Sequence, residues 1–336
     1  MKAVGYQKSL PITASDSLID IELPIPKVTG RDLLVKVEAV SVNPVDTKVR
    51  MRAEAEENTY KVLGWDASGV IQAVGDQVEN FSVGQRVWYA GALDRSGTNA
   101  EYHLVDERIV GNMPESLDFV QAAALPLTTI TAWEILFDRL GFTSESTGTL
   151  LVIGGAGGVG SILIQLAKQL TRLTVIATAS RDATMDWVRS LGADHVINHR
   201  ENMQAQLKDS GFETVDHVAS LTHTDTHLPT ILDIIAPQGS LCLIDDPEAL
   251  DVIPFKLKSV SIHWELMFTR SLFQTSDMAQ QGKLLNQVAT MVDAGQIKTT
   301  VSESFGTINA ANLKRAHALL ESGKSVGKIV LTGFND

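Results

Sequence analysis

The hydrophobic rhythm of the chain changes near residue 126. Before it, short apolar runs are broken at close intervals by polar residues, as in Leu34-Val35-Lys36-Val37-Glu38-Ala39-Val40 and Arg86-Val87-Trp88-Tyr89. Runs of this length predict strands. Glycines at 64, 69, 75 and 84 mark the turns and bulges of this region. After residue 126, strand-like runs alternate with amphipathic stretches such as Met185-Asp186-Trp187-Val188-Arg189-Ser190-Leu191. Strands are expected at 149–153, 174–178, 195–197, 214–220, 240–245 and 259–264. This alternation predicts a doubly wound parallel sheet. Near residue 270 the series stops, and a helix around 277–294 and the stretch from Ser304 to Phe334 lie outside it. The expected class is therefore α/β, with a β-rich domain made of 1–125 and 270–336 and a parallel-sheet domain over 126–269. A ligand is expected in the cleft between the two. No internal repeat or low-complexity segment interrupts the pattern.

The run Gly154-Gly155-Ala156-Gly157-Gly158-Val159-Gly160 stands between the apolar Thr149–Ile153 and the helical Ser161-Ile162-Leu163-Ile164-Gln165-Leu166-Ala167-Lys168. Gly155, Gly157 and Gly160 fall at the G-x-G-x-x-G spacing. In a strand–turn–helix context the first glycine permits the turn, the second admits a pyrophosphate and the third lets helix and strand pack closely. The phosphates then meet unpaired N–H groups at the helix start. Gly155, Ala156, Gly157, Gly158, Val159 and Gly160 are thus candidate cofactor contacts, and the second domain is expected to be a Rossmann-fold nucleotide domain. An NAD site carries an acid at the tip of the second strand. Here the tip reads Ala177-Thr178-Ala179-Ser180-Arg181, with Asp182 only after the arginine. Arg181 suits a 2′-phosphate and Ser180 can donate to it, so NADPH is the expected cofactor.

With 336 residues, 44% hydrophobic and 20% charged, the composition is that of a globular chain of two domains. A net charge of -12 argues against nucleic acid or an anionic membrane as partner. No apolar run is expected to span a bilayer, and the N-terminal residues show no signal-peptide core, so the cytoplasm is the expected compartment. Cys242, the single cysteine, lies in a strand-like run and reads as a small buried hydrophobe. His223 and His227 stand four apart without the glutamate of a zinc-helix motif, and a polar loop is expected there. Glu54, Glu56 and Glu57 read as an exposed loop. Tyr-x-x-x-Lys is absent at all four tyrosines.

Several motifs occur in a fixed order: Gly64-Trp65-Asp66-Ala67-Ser68-Gly69-Val70, then Gly75 and Val78, Gly84-Gln85-Arg86-Val87, Leu125-Pro126-Leu127-Thr128-Thr129-Ile130-Thr131-Ala132-Trp133, and Gly327-Lys328-Ile329-Val330-Leu331. Over its whole length the chain resembles the medium-chain dehydrogenase/reductases, which implies a GroES-like first domain. The zinc alcohol dehydrogenases of that family place ligands where this chain has Asn43, Trp65 and the vicinity of Pro126–Leu127. Asn43 and Trp65 cannot ligate zinc, so no metal residues are assigned. The chain instead resembles the zinc-independent quinone oxidoreductases, or ζ-crystallin-like reductases. That resemblance implies hydride transfer to a small electrophile, a quinone or an α,β-unsaturated carbonyl. Asn43 is the candidate contact for carboxamide or substrate oxygen, while Lys48, Tyr60 and Thr131 are further donors, and Trp65 and Met267 either exclude water or belong to the core. Asp46 is expected to tie down its own loop. His199 corresponds to a tyrosine near the 2′-phosphate, and Lys328 is carried over as a cofactor contact. Val260–Trp264 resembles an edge strand that pairs across a two-fold axis, implying a homodimer. Two alternatives stay open: a zinc alcohol dehydrogenase with atypical ligands, and an NADPH-binding sensor or structural protein with little turnover.

Overall fold

The computed structural model describes residues 1–334; the last two residues of the expected 270–336 segment lie outside the described residues. Along the chain run β1 (Lys2–Tyr6), β2 (Ile19–Glu22), β3 (Asp32–Ser41), α1 (Pro44–Arg52), β4 (Lys61–Val62), β5 (Ala67–Val74), β6 (Arg86–Tyr89), β7 (Tyr102–Asp106) and β8 (Val110–Asn112). Two helices, α2 (Phe119–Ala123) and α3 (Pro126–Trp133), precede a π-turn at Glu134–Arg139. Then come β9 (Thr149–Ile153), α4 (Gly158–Leu170), β10 (Thr174–Thr178), α5 (Asp182–Ser190), β11 (His195–Ile197), α6 (Met203–Asp209), β12 (Val215–Ser220), α7 (Thr224–Ile234), β13 (Ile235–Leu243) and β14 (Ser261–Trp264). The chain ends with α8 (Thr269–Leu272), α9 (Gln280–Asp293), β15 (Val301–Thr307), α10 (Ala310–Glu321) and β16 (Lys328–Thr332).

Two compact units emerge: Met1–Ile130 with Phe268–Asp336, and Thr131–Met267. The first carries a seven-stranded sheet ordered β15-β16-β3-β5-β6-β8, with β7 also on β3, and a three-stranded sheet β2-β1-β4. β3 is its spine: alternate residues Leu33, Val35 and Val37 are buried, and it pairs antiparallel with β5, β7 and β16.

The second unit is a six-stranded, all-parallel sheet ordered β11-β10-β9-β12-β13-β14. Strand order therefore reverses between β9 and β12, the point at which doubly wound sheets bind ligands outside their carboxyl ends. Leu151, Ile176, Val218 and Leu241 pack into one continuous core with Ile231 and Ile234 of α7.

Three expectations need correction. The strand expected at 240–245 starts earlier, at Ile235. Its register slips between Val215↔Ile235 and His217↔Ser240, where Gln238 takes a φ of 63°, so Pro237-Gln238-Gly239 forms an irregularity inside the strand. His223 and His227 do not share a polar loop. Asp245 accepts the backbone N–H of Thr224 at 2.8 Å and its hydroxyl at 2.5 Å, starting α7 there and leaving His223 outside the helix with φ 50°. One stretch, Phe119–Arg139, does hold an 18-residue window long and apolar enough to cross a membrane, but 78% of that window is buried within the protein. It is apolar because it is core.

Candidate active site and cofactor-binding turn

In the parallel unit, the chain leaves β9 at Ile153 and turns through Gly154–Gly157 into α4. Thr178, at the end of β10, holds this turn: its hydroxyl accepts the N–H of Gly154 at 3.0 Å and its carbonyl that of Gly155 at 3.2 Å. The glycines serve different ends. A Cβ on Gly160 would stand 2.5 and 2.6 Å from the carbonyl oxygens of Gly154 and Gly155, so helix–strand packing demands glycine there. Gly157 has an unstrained φ of -74°, and a Cβ on it would meet nothing nearer than the Gly154 oxygen at 3.4 Å. Nothing inside the protein requires glycine at 157. The open space lies at the start of α4, where no side chain caps the unpaired N–H groups. These features fit a dinucleotide pyrophosphate. Ala156, Gly157, Gly158 and Val159 are half-exposed, while Gly155 and Gly160 are buried.

Beyond β10, Ser180 is half-buried and Arg181 exposed. The backbone of Arg181 is fixed by Thr184, whose hydroxyl accepts the Arg181 N–H at 3.1 Å and donates to its carbonyl at 2.7 Å. This leaves a guanidinium at the strand tip where an NAD site has an acid. His199 follows β11 and is half-buried, its ring centroid 6.1 Å from that of His227. Burial, then the neighbouring His227, Arg200 and His223, hold its pKa below the usual histidine value.

The β-rich unit holds a buried polar cluster at the junction of β3 and α1. Pairing of Val330 with Ser41 carries Lys328 alongside Asn43, while pairing of Val40 with Ala67 brings Asp66 beside Ser41. Lys328 Nζ donates to Asp66 Oδ2 at 3.0 Å, to the carbonyl of Val42 at 3.0 Å and to Asn43 Oδ1. Asn43 Nδ2 donates to the same Asp66 oxygen at 2.9 Å, and the N–H of Leu127 donates to Asp66 Oδ1 at 2.8 Å. Burial pushes the Asp66 carboxyl up, but every group around it donates, so it is held as a carboxylate by Lys328, Asn43 and Leu127. Asp46 Oδ2 accepts the Asn43 N–H at 2.7 Å, tying down the start of α1 behind Pro44. Burial pushes the pKa of Asp46 up to about 7.

Asn43 and Leu127, at two of the places where the zinc enzymes of the resembled family carry ligands, thus converge on Asp66, the neighbour of the third, Trp65. What they offer is an amide, a carboxylate and a backbone N–H, with an ammonium among them. Zinc needs three lone-pair donors, and here protons already point at the carboxylate. The set does not fit the metal. Among the described residues no group of three His, Cys, Asp or Glu is arranged to hold one.

Asn43 is only 1% exposed and both ends of its amide are engaged inward, so it serves as a strut for its loop. Lys328 likewise faces this interior cluster. Lys48 and Tyr60 do not join it. Two residues along a helix turn about 200°, so Lys48 points opposite to Asp46 and lines an open groove with Pro11, Ile12, Thr13, Met51 and Glu321. Tyr60 is 40% exposed beside β4, and Thr131 is buried in α3. Trp65 is core: it donates to the carbonyl of Ala92 at 3.1 Å and meets the Phe268 ring edge-on. Met267 is buried too. Sequence reasoning does not single out Asp66 as a site residue; its place in the Gly64-Trp65-Asp66 motif is the local signal it carries.

A doubly wound sheet with a glycine turn at its switch point is the frame of a nucleotide-binding unit, and the same chain carries a β-rich unit built on a buried Lys–Asp pair. Residues 29–115 match the alcohol dehydrogenase GroES-like domain, and residues 191–331 match the zinc-binding dehydrogenase domain. The chain is 38% identical to a zinc-type alcohol dehydrogenase-like protein of Staphylococcus epidermidis, over 98% of this chain and 99% of that one. It is 28% identical to an NADPH-dependent alkenal/one oxidoreductase of Arabidopsis thaliana, over 93% and 75%. Among solved structures, a Rhizobium etli CFN 42 protein provisionally named a zinc-dependent alcohol dehydrogenase superposes with a TM-score of 0.97 at 56% identity, covering 100% of this chain and 99% of that one. A quinone oxidoreductase from Coxiella burnetii gives a TM-score of 0.81 at 27% identity, over 99% of each chain. The chain belongs to the medium-chain dehydrogenase/reductase superfamily.

Proposed function

We propose that the protein is an NADPH-dependent reductase that works without metal on a quinone or an α,β-unsaturated carbonyl. The observation that carries this reading is the donor set around Asp66, where an ammonium, an amide and a backbone N–H stand in place of zinc ligands. The choice of NADPH rests on Arg181 and Ser180 at a strand tip without an acid.

When bound, the reduced nicotinamide supplies the hydride. The turn from Gly155 to Gly160 would hold the pyrophosphate, and Arg181, Ser180 and His199 would take the 2′-phosphate. Lys328, Asp66, Asn43 and Asp46 keep the loop at 41–46 rigid, so its contribution is orientation. Thr131 and Tyr60 are each candidates for a donor that would meet charge developing on an acceptor oxygen, and water would supply the proton that completes a two-electron reduction. Lys48 is left out of this scheme by its place on the far side of α1. The reaction is assigned to the cytoplasm, with a small electrophile as partner and a homodimer as the working form.

The test is NADPH oxidation, followed by loss of nicotinamide absorbance, against a panel of quinones, enones and enals, with NADH and a chelator as controls. Chelator-resistant turnover that prefers NADPH supports the reading. Turnover abolished by the chelator and restored by zinc would sink it.

A further inference from the structure

The parallel unit holds a pair of buried carboxyls that the scheme above does not use. Glu134 opens the π-turn and is fully buried, and Glu265, just past β14, is 3% exposed. The π-turn is real in its hydrogen bonding: the N–H of Leu140 reaches the carbonyl of Ile135 at 3.0 Å, the five-residue step that tends to appear at functional positions. At its far end, Arg139 Nε donates to Glu265 Oε2 at 2.7 Å. The other oxygen, Glu265 Oε1, is buried without an N–H or hydroxyl partner, and the Glu134 carboxyl lies within hydrogen-bonding reach of Glu265. Two acids then face one guanidinium. Carboxylates this close in a dry interior do not both ionise, so the neutral arrangement is one carboxylate, one carboxylic acid and Arg139. The remaining groups near the pair are Asp138, which acts on Arg139, and the Cys242 thiol of β13, itself pushed up to about 12, chiefly by burial. Burial, reinforced by Glu134 and opposed by Arg139, pushes Glu265 up to about 9.

The pair sits at a particular end of the sheet. The Glu265 N–H donates to the Leu243 carbonyl at 3.0 Å, extending the β13–β14 ladder past the carboxyl end of β14. Cofactors of doubly wound sheets bind outside those carboxyl ends. We propose that Glu134 and Glu265 share one proton and, with Arg139, form a latch that positions the carboxyl end of β14 for the nicotinamide half of the cofactor. They are positioning residues, and this role rests on the cofactor reading above. Loss of the shared proton in alkali sets two buried carboxylates against each other, and the latch opens.

Glu134→Gln supplies an amide N–H toward Glu265 and carries no charge. Glu134→Ala supplies no donor at all. The measurement is the NADPH dissociation constant of each full-length protein between about pH 7 and 10, with the melting temperature followed in parallel. Wild type is expected to lose about tenfold in affinity for each pH unit above the pair's transition. Glu134→Gln should keep wild-type affinity and hold it across the range, while Glu134→Ala should bind weakly throughout. Melting temperatures should show the same alkaline fall in wild type and its absence in Glu134→Gln. Parallel pH courses for wild type and Glu134→Gln would overturn the latch alone. Failure of wild type to bind either NADPH or NADH at neutral pH would overturn the cofactor reading and the latch's role with it.

Discussion

Lys328 and Asp66, 262 residues apart in sequence, form an ion pair of 3.0 Å with side chains 3% and 0% exposed. The pair brings the loop after β3, the residue before β5 and the start of β16 together around one carboxylate. Removing one partner of a buried pair leaves an uncompensated charge, whereas removing both can be nearly neutral. Lys328→Met should therefore destabilise the protein by about 3–5 kcal/mol. The double variant Lys328→Met/Asp66→Asn should recover much of that loss. Chemical denaturation of the two variants checks the coupling, and equal losses in both would show that charge burial is not the cause.

Asp46 links the same cluster to pH. Its folded pKa, pushed up to about 7 by burial, exceeds the ordinary value of 3.8. Between those values the folded protein holds a proton that the unfolded chain has released, so stability falls as pH rises through that window. Below it and above it Asp46 contributes no slope. Asp46→Asn removes this term while keeping a carbonyl to accept the Asn43 N–H. The stability of wild type relative to Asp46→Asn should decline from about pH 4 to 7 and then level off. A constant difference across that range would show that Asp46 is ionised in the folded state.

The two glycines at the nucleotide turn should part company on substitution. Gly160→Ala forces a Cβ against two backbone oxygens and should lower the melting temperature. Gly157→Ala meets open space and should melt near wild type, yet its methyl fills the place of a phosphate. Calorimetric titration with NADPH should find Gly157→Ala folded and at least tenfold weaker, about 1.4 kcal/mol. Undiminished binding by Gly157→Ala would remove the pyrophosphate from this turn.

Arg181 offers a charge-assisted contact worth about 1.5–3 kcal/mol when made to a charged partner. Its replacement by Ala should therefore cost NADPH at least tenfold in affinity and leave NADH almost untouched. An equal loss for both cofactors would mean that Arg181 does not read the 2′-phosphate.

Much of this was legible in the sequence, and the reason is local pattern. The parallel strands 149–153, 174–178 and 195–197 stand where period and length put them, and the glycine turn follows from seven adjacent residues. Partners far apart in sequence were harder to see. Nothing near Gly327-Lys328 announces that its ammonium lies on Asp66, since that contact depends on the β3–β16 register. The resemblance offers Lys48 as a donor, although two residues along α1 turn its side chain away from that of Asp46. The polar His223–His227 stretch hid a helix whose start is fixed by Asp245, a residue 21 positions away from Thr224.

The remaining prediction concerns assembly. β14 pairs with β13 on one side only, and among the described residues nothing pairs with its other edge. Around that edge the same unit exposes Ile253 (74%), Leu257 (94%), Trp264 (53%) and Leu266 (50%). Open parallel-sheet edges with apolar neighbours invite pairing with another strand, and a second copy in two-fold arrangement offers an identical edge and the same apolar residues. A stable interface of this kind buries at least about 1,200 Å². We propose that two chains join along β14. Light scattering should give twice the 36.4 kDa of one chain for wild type, and Trp264→Glu, which sets a charge into the middle of the contact, should shift the mass to that of one chain without lowering helix content. A monomeric wild type, or a dimer indifferent to Trp264→Glu, would place the interface elsewhere or remove it.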